Sequence, residues 1–358
     1  MDKQYKRILV IKLRFHGDML LTTPVISTLK QNYPDAQIDV LLYEDTMPIL
    51  SENPEINALY GIKNRKTPTI EKLKNAFTTI GLLRKNHYDL VINLTDQWPV
   101  AFLVRCLQTK NKISLQFQHR RSVLWTSCFR ESVPPQGSHI VERNLSTLAP
   151  LGLKKVVTET TMGYQPEHWN NIQNKLSELG VDSHRYVVIQ PTARQVFKCW
   201  DEEKFSAVID SLEARGYRVV LTSGPSAGDI TCVNKIKNHC QNKPVTELAG
   251  KTSFPELAAL IDHAALFIGV DSAPMHISAA LKTPIICLFG ATDHRFWRPW
   301  SDNFIMFWAG DYQPMPKRED LDRHHKYLSC IPASDVIEAT EKLLKSSSNE
   351  SMSRNGSL

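Results

Sequence analysis

The feature that most constrains this chain is a rhythm. Short runs of Val, Ile and Leu, apolar at nearly every position, alternate with longer stretches whose apolar residues recur at helical spacing. "KRILVIKL" leads into a helical pattern reaching about Tyr33, and "QIDVLLY" follows. "EKLKNAFTTIGLLRKNHY" reads as helix, "DLVINL" as strand, and "AFLVRCLQ" as helix again. A strand that is apolar on both faces has to be covered on both faces, and alternating strands and helices supply that cover by building a parallel sheet. At Arg185 the rhythm restarts with "RYVVIQP", "RVVLTSG", "VTELAG", "ALFIGVDS" and "PIICLFG", each followed by a helical stretch. The expectation is an α/β chain of two Rossmann-like, doubly wound parallel-sheet domains in series.

The domains are expected over 1–165 and 166–332, joined through an irregular stretch that follows a helix closed by Gly152. A helix over 333–345 begins at the capping Ser334, and the polar, aperiodic 346–358 reads as a disordered tail. A length of 358 residues with 42% apolar content is enough for two cores. The longest apolar runs fall well short of the roughly 18 residues that cross a bilayer. The first apolar run is interrupted by Lys12 and Arg14, unlike a secretory signal. Seven cysteines without paired spacing read as reduced thiols, so the expected compartment is the cytoplasm. The formal charge of +6 comes from widely spread residues, which does not imply nucleic acid but suits an acidic substrate or an anionic membrane surface.

In open parallel sheets ligands bind beyond the carboxyl ends of the strands, so the loops there carry the chemistry. The most specific segment is "FIGVDSAPMHISAAL", where a strand ends at Asp271 and a helix starts through Ser272, Ala273 and Pro274, with His276 in its first turn. Asp271 and Ser272 read either as helix caps or, with the helix N-terminus, as an anion site. In "QPTARQVFKCW", Thr192, Arg194 and Lys198 place a hydroxyl and two cations beyond another strand, which suits a diphosphate leaving with growing charge. The loops "TSGPSAGD" and "ELAGKTS" offer walls for a nucleoside, with Asp229 toward the ribose. No GxGxxG follows the first strand, no GxxxxGK[ST] occurs, and no HExxH element is present to anchor a metal.

In the first domain, "RFHGDM" puts Asp18 just beyond the first strand, where it reads either as a helix cap or as a base for an incoming hydroxyl. In "TDQWP", Asp96 and Trp98 suit a sugar through hydroxyl hydrogen bonds and ring packing, and Trp98 reads equally well as core. Two basic clusters, Lys63, Arg65 and Lys66 in "KNRK" and His119, Arg120 and Arg121 in "HRR", are either solvated faces or contacts for a phosphate-bearing acceptor.

Taken together, "HGDMLLTTP", "PTAR" followed by "KCW", "GKTS", and "GVDSAPMHISAAL" followed by "PIICLFGATD" resemble the ADP-heptose:lipopolysaccharide heptosyltransferases, in order and spacing across about residues 6 to 345. The resemblance implies a GT-B fold, with two Rossmann-like domains facing across a cleft and the helix at 333–345 crossing back to the first domain. It implies a metal-independent, cofactor-free inverting transfer of heptose from ADP-heptose to a heptose of the lipopolysaccharide inner core. By motif position it implies Asp18 as general base, Lys198 as phosphate ligand, and the segment of Asp271, Ser272 and His276 as the donor-binding helix start. Thr192 and Arg194 then cradle the donor, and Thr252 meets adenine through its backbone. Many relatives carry glycine where this chain has Ala273, and Asp229 stands where a glutamate is common. The expected enzyme is a cytoplasmic monomer that touches the inner membrane transiently. Other readings are a nucleotide-sugar epimerase of the same architecture and a non-catalytic basic binding protein.

Overall fold

The computed structural model describes residues 4–63, 78–183 and 185–355, with side chains through 345. The chain divides into two compact units, Met1–Gly163 and Tyr164–Leu358. The first is built on six strands: β1 (Arg7–Ile11), β2 (Gln37–Tyr43), β3 (Ala58–Ile62), β4 (Leu90–Asn93), β5 (Lys112–Leu115) and β6 (Glu131–Val133). They pair in the order β3-β2-β1-β4-β5-β6, and every pairing is parallel. Ile8 sits beside Ile38 on one side and Leu90 on the other, and β1 is fully buried from Ile8 to Ile11.

One charge interrupts the apolar run of β2. Asp39 is buried, and Tyr88 Oη (2.6 Å) and Asn57 Nδ2 (2.8 Å) donate to its carboxylate. Burial, together with that carboxylate, holds the Tyr88 phenol well above its usual range. The expected first helix is two, His16–Leu20 and Thr23–Asn32. The stretch after Gly152 is irregular, as its composition predicts, yet it is tied to the helix Thr23–Asn32: Val157 N–H donates to Thr28 Oγ1 (2.9 Å) and Thr161 N–H to Thr23 Oγ1 (2.9 Å).

The second unit holds β7 (Tyr186–Gln190), β8 (Arg218–Leu221), β9 (Leu266–Val270), β10 (Ile285–Phe289) and β11 (Phe304–Trp308), in the parallel order β11-β10-β9-β7-β8. "VTELAG", expected as a strand, shrinks to one parallel bridge between Val220 and Val245. The reason is local: Ala249 N–H already bonds Thr246 C=O (3.1 Å), so the backbone turns before a ladder can grow. Counted as a short third strand, that bridge gives the second sheet the same order as the first. In both sheets the chain returns past its starting strand, at β1/β4 and at β7/β9, and the loops there depart to opposite faces.

The second core centres on Trp200, fully buried, edge-on to Phe205 (5.0 Å) and donating Nε1–H to Ile331 C=O (3.1 Å). Val336, Ala339 and Leu344 of the helix Ala333–Asn355 join this core. The helix continues past Lys345, where the sequence predicts a tail without structure. Apolar spacing marks where a helix packs, and a nucleated helix extends beyond that point at little cost. Trp200→Ala is expected to lose about 3–5 kcal/mol of stability in urea unfolding through the cavity it leaves, and Trp200→Phe much less. A loss below about 1 kcal/mol for the alanine variant would contradict this packing.

Candidate functional site

At the β7/β9 switch point Gln190 lies directly beside Gly269. Gln190 is buried and acts as a clamp: its Nε2 donates to Thr192 Oγ1 (3.1 Å), and its Oε1 accepts from Thr222 Oγ1 (2.7 Å). The loops after β7 and β8 are thereby fixed to each other. A 3-10 turn at Val196–Lys198 then carries Lys198 Nζ to 2.6 Å from Asp271 Oδ2 at the end of β9. Asp271 is buried, so this pair sits where water screens it poorly. Ser272 holds the N-cap position of the helix Ala273–Leu281 in extended conformation, but its side chain makes no cap bond, and its Oγ is buried without a hydrogen-bond partner. The capping reading of this serine therefore fails, and the helix start keeps its N–H donors, less the one that Pro274 lacks. His276 is buried in the first turn, and Arg194 is exposed in the β7 loop.

The loops 222–229 and 247–253 meet as the sequence predicts. Gly250 N–H bonds Ser223 C=O (3.1 Å), and a cavity of about 350 Å³ lies beside them, lined by Pro225, Ile230, Thr246, Gly250 and Lys251 among others. Gly250 has φ +70°, and an added Cβ would stand 3.2 Å from both Gly224 O and Pro225 Cα, so glycine is required at this junction. Thr252 lies just before Ser253, which caps the helix Phe254–Asp262. Asp229 is drawn into another cap: Ser226 Oγ accepts from its N–H (3.1 Å) and donates to its Oδ2 (2.5 Å).

In the first unit Asp18 is the third residue of the helix His16–Leu20, half-buried, and Phe15 N–H donates weakly to its Oδ2 (3.4 Å). It is therefore not the N-cap itself but the residue that reaches back to it. Beside this loop lies a residue the motif reading missed. Lys12 is 4% exposed and donates to Asn144 Oδ1 (3.2 Å), while Asn144 Nδ2 donates to Leu21 C=O (3.0 Å). Burial lowers the Lys12 pKa to about 8, helped by Arg14 and opposed by the charges of Asp18 and Asp96. The available signal was a lysine directly after the four apolar residues of a central strand.

Asp96 is held from three sides: Arg14 Nη2 and His119 Nε2 each lie 3.0 Å from its carboxylate, and Arg120 Nε donates to its C=O (2.7 Å). Trp98 belongs to an aromatic cluster, stacked on Phe102 (5.7 Å) and edge-on to Trp125 (5.3 Å), with the Arg120 guanidinium 5.7 Å from its ring centre. It is half-buried, so one part of the ring packs in this cluster and another part is open to solvent. Arg121 is exposed and Lys63 half-buried after β3; Arg65 and Lys66 lie outside the described residues. Among the described residues no three His, Cys, Asp or Glu side chains are gathered to hold a metal ion.

Two Rossmann-like units with charged loops at both switch points are the architecture of the GT-B class. The chain belongs to glycosyltransferase family 9, the heptosyltransferases, whose family model matches residues 79–328. It is 66% identical over 332 residues to lipopolysaccharide heptosyltransferase 3 of Escherichia coli K12, covering 93% of this chain and 96% of that one. It is 25% identical to lipopolysaccharide heptosyltransferase 2 of Salmonella typhimurium, covering 94% and 98%. Among solved structures, a family 9 glycosyltransferase from Veillonella parvula shares the fold with a TM-score of 0.84 at 23% identity, covering 97% of this chain and 99% of that one.

Because Lys12 releases its proton more readily folded than unfolded, the unfolded chain binds more protons between about pH 8 and its ordinary value of 10.5. Stability from this group therefore rises as pH climbs through that window. The difference in unfolding free energy between parent and Lys12→Met, followed by urea unfolding from pH 7 to 10.5, is expected to shift in the parent's favour by a few kcal/mol. A difference that stays flat with pH would overturn the assignment.

Proposed function

We propose that this chain transfers a heptose from ADP-heptose to a heptose of the lipopolysaccharide inner core, with inversion and without a metal; the transfer of heptose to lipopolysaccharide is what the name of its relative, lipopolysaccharide heptosyltransferase 3, supports. The observation that carries the reading is the ion pair of Lys198 with buried Asp271 beside the uncapped Ser272. A cation, a hydroxyl without a partner and a helix N-terminus converge at one switch point, which is a binding arrangement for a diphosphate.

In this reading the second unit holds the donor. Thr192, Arg194, Lys198 and the helix start at Ser272, Ala273 and His276 take the diphosphate, while the cavity beside Gly250 and Thr252 takes the nucleoside. Asp229, engaged by Ser226, would have to exchange that bond for a ribose hydroxyl. The first unit supplies the base and the acceptor contacts, among them Asp96, Trp98, Arg120, Arg121 and Lys63, with Arg65 and Lys66.

The acceptor hydroxyl attacks the anomeric carbon as Asp18 takes its proton. The new carbon–oxygen bond forms on the face opposite the departing oxygen, and ADP leaves with the bonding electron pair. The charge that grows on the diphosphate is met by Lys198, Arg194 and the helix dipole, each well-placed donor being worth roughly 3–4 kcal/mol in the transition state. Asp18 is half-buried and interacts electrostatically with Lys12, which keeps its carboxylate near a positive charge. The product is a lipid-anchored saccharide, so the same reading makes the enzyme a peripheral visitor to a membrane surface.

Asp18→Asn separates base from cap, because an amide oxygen still accepts from Phe15 N–H but takes no proton. Turnover is expected to fall roughly 10²- to 10⁴-fold, while the melting temperature and the affinity for ADP-heptose stay near the parent values. Lys198→Ala is expected to weaken donor binding and turnover together. Near-parent turnover in Asp18→Asn would reduce that residue to a helix cap, and measured product from donor alone would favour an epimerase.

A further inference from the structure

The residues 97–130 contain Arg105, Lys110, Lys112, Arg120, Arg121 and Arg130 and no Asp or Glu, so this one stretch carries the formal charge of the entire chain, +6. Basic residues that look widely spread along the sequence are, in net terms, concentrated on one part of the first unit. The same stretch holds exposed apolar side chains. Val123 is 83% exposed, Leu124 55% and Phe102 47%.

These side chains share a surface because the segments that carry them are bolted together. Trp125, 1% exposed, anchors the short helix Val123–Thr126 in the core and leaves the two residues before it outside. Trp98 packs on Trp125 from the helix Trp98–Cys106 and stacks on Phe102 one turn later, and Arg105 of that helix donates to Ser127 Oγ (3.2 Å). Arg121, two residues before Val123, and Arg105, bonded to Ser127 at the end of the same short helix, are both exposed beside this apolar tip. Apolar side chains held fully in water cost free energy unless something covers them.

We infer that this face docks on a lipid bilayer bearing anionic headgroups, with Val123 and Leu124 entering the headgroup layer and the surrounding cations meeting the headgroups. Charge complementarity and an apolar tip together identify the occupant: nucleic acid would use the cations but leave Val123 and Leu124 uncovered. The choice of a bilayer also rests on the proposed lipid-anchored acceptor. Arg120 links the surface to the acceptor loops, since it donates to Asp96 C=O and lies over both Trp98 and Trp125. Among the described residues no helix is long and apolar enough to cross a membrane.

The test is flotation of the full chain with phosphatidylcholine vesicles, with and without phosphatidylglycerol, in the absence of any substrate. Binding is expected only where phosphatidylglycerol is present and is expected to weaken with salt. The double substitution Val123→Ser with Leu124→Ser is expected to lower the bound fraction about tenfold, with circular dichroism unchanged. Val156→Ser, at a position 62% exposed elsewhere in the same unit, is expected to leave it alone. Transfer to a soluble acceptor should be unaffected by the double substitution, and transfer to the same acceptor embedded in vesicles should fall. Equal binding by parent and double variant, equal binding to neutral vesicles, or binding to nucleic acid in place of vesicles would each overturn the inference. Vesicle binding by a chain that transfers no heptose would uphold the surface and overturn only the assigned substrate.

Discussion

Two neighbouring parallel strands cannot be joined by a tight turn, and most of this structure follows from that constraint. Each connection has to climb back over a face of the sheet, so each sheet is covered on both faces and its central strands are apolar at most positions. When the chain has built outward from β1 to β3 it returns to add β4 on the other side of β1, and the second unit repeats the move at β7 and β9. The loops on either side of that reversal run to opposite faces and leave room between them. Chemistry collects there because backbone N–H groups and short polar loops are available without breaking the sheet.

Burial of charge is the second ordering influence. Asp39, Lys12 and Asp271 are all removed from water, and each is met differently: Asp39 by donated hydrogen bonds, Lys12 by an amide and nearby carboxylates, Asp271 by a lysine from another loop. An uncompensated charge in such positions would cost several kcal/mol, so these contacts hold the surrounding loops in place as well as satisfying the groups. The first is far from the strand ends that face ligands and is structural. The other two lie at the switch points, where a fixed charge also sets the electrostatics of whatever binds.

Much of this was legible in the chain. The buried strands β1, β2, β4, β7, β9 and β10 stand out because burial on both faces demands a run that is apolar at nearly every position, with Asp39 the exception inside β2. β3, β5, β6 and β11 did not, since "ALYGI", "KISL", "ESV" and "FIMFW" are short and most are only partly covered, and a strand of that kind is specified by the neighbour it pairs with. Among the candidate site residues of the two units, Lys198, Asp271, Ser272 and Asp18 could be singled out because each follows a recognisable strand. Gln190, Lys12 and Arg14 were not, because what they do depends on Thr222, Asn144 and Asp96, which are distant along the chain.

The sequence by itself determined the two doubly wound units, the positions of the loops that carry charge, and the family, because apolar periodicity and short motifs are local properties. Tertiary structure alone decided that Ser272 occupies a cap position without capping, that Asp96 is already engaged by Arg14, His119 and Arg120, that Lys12 is buried, and that Arg105 is bonded to the short helix whose Val123 and Leu124 stand exposed. Each of these depends on which remote side chains arrive within a few ångströms. No local pattern encodes that, because packing selects it only after the sheets have formed.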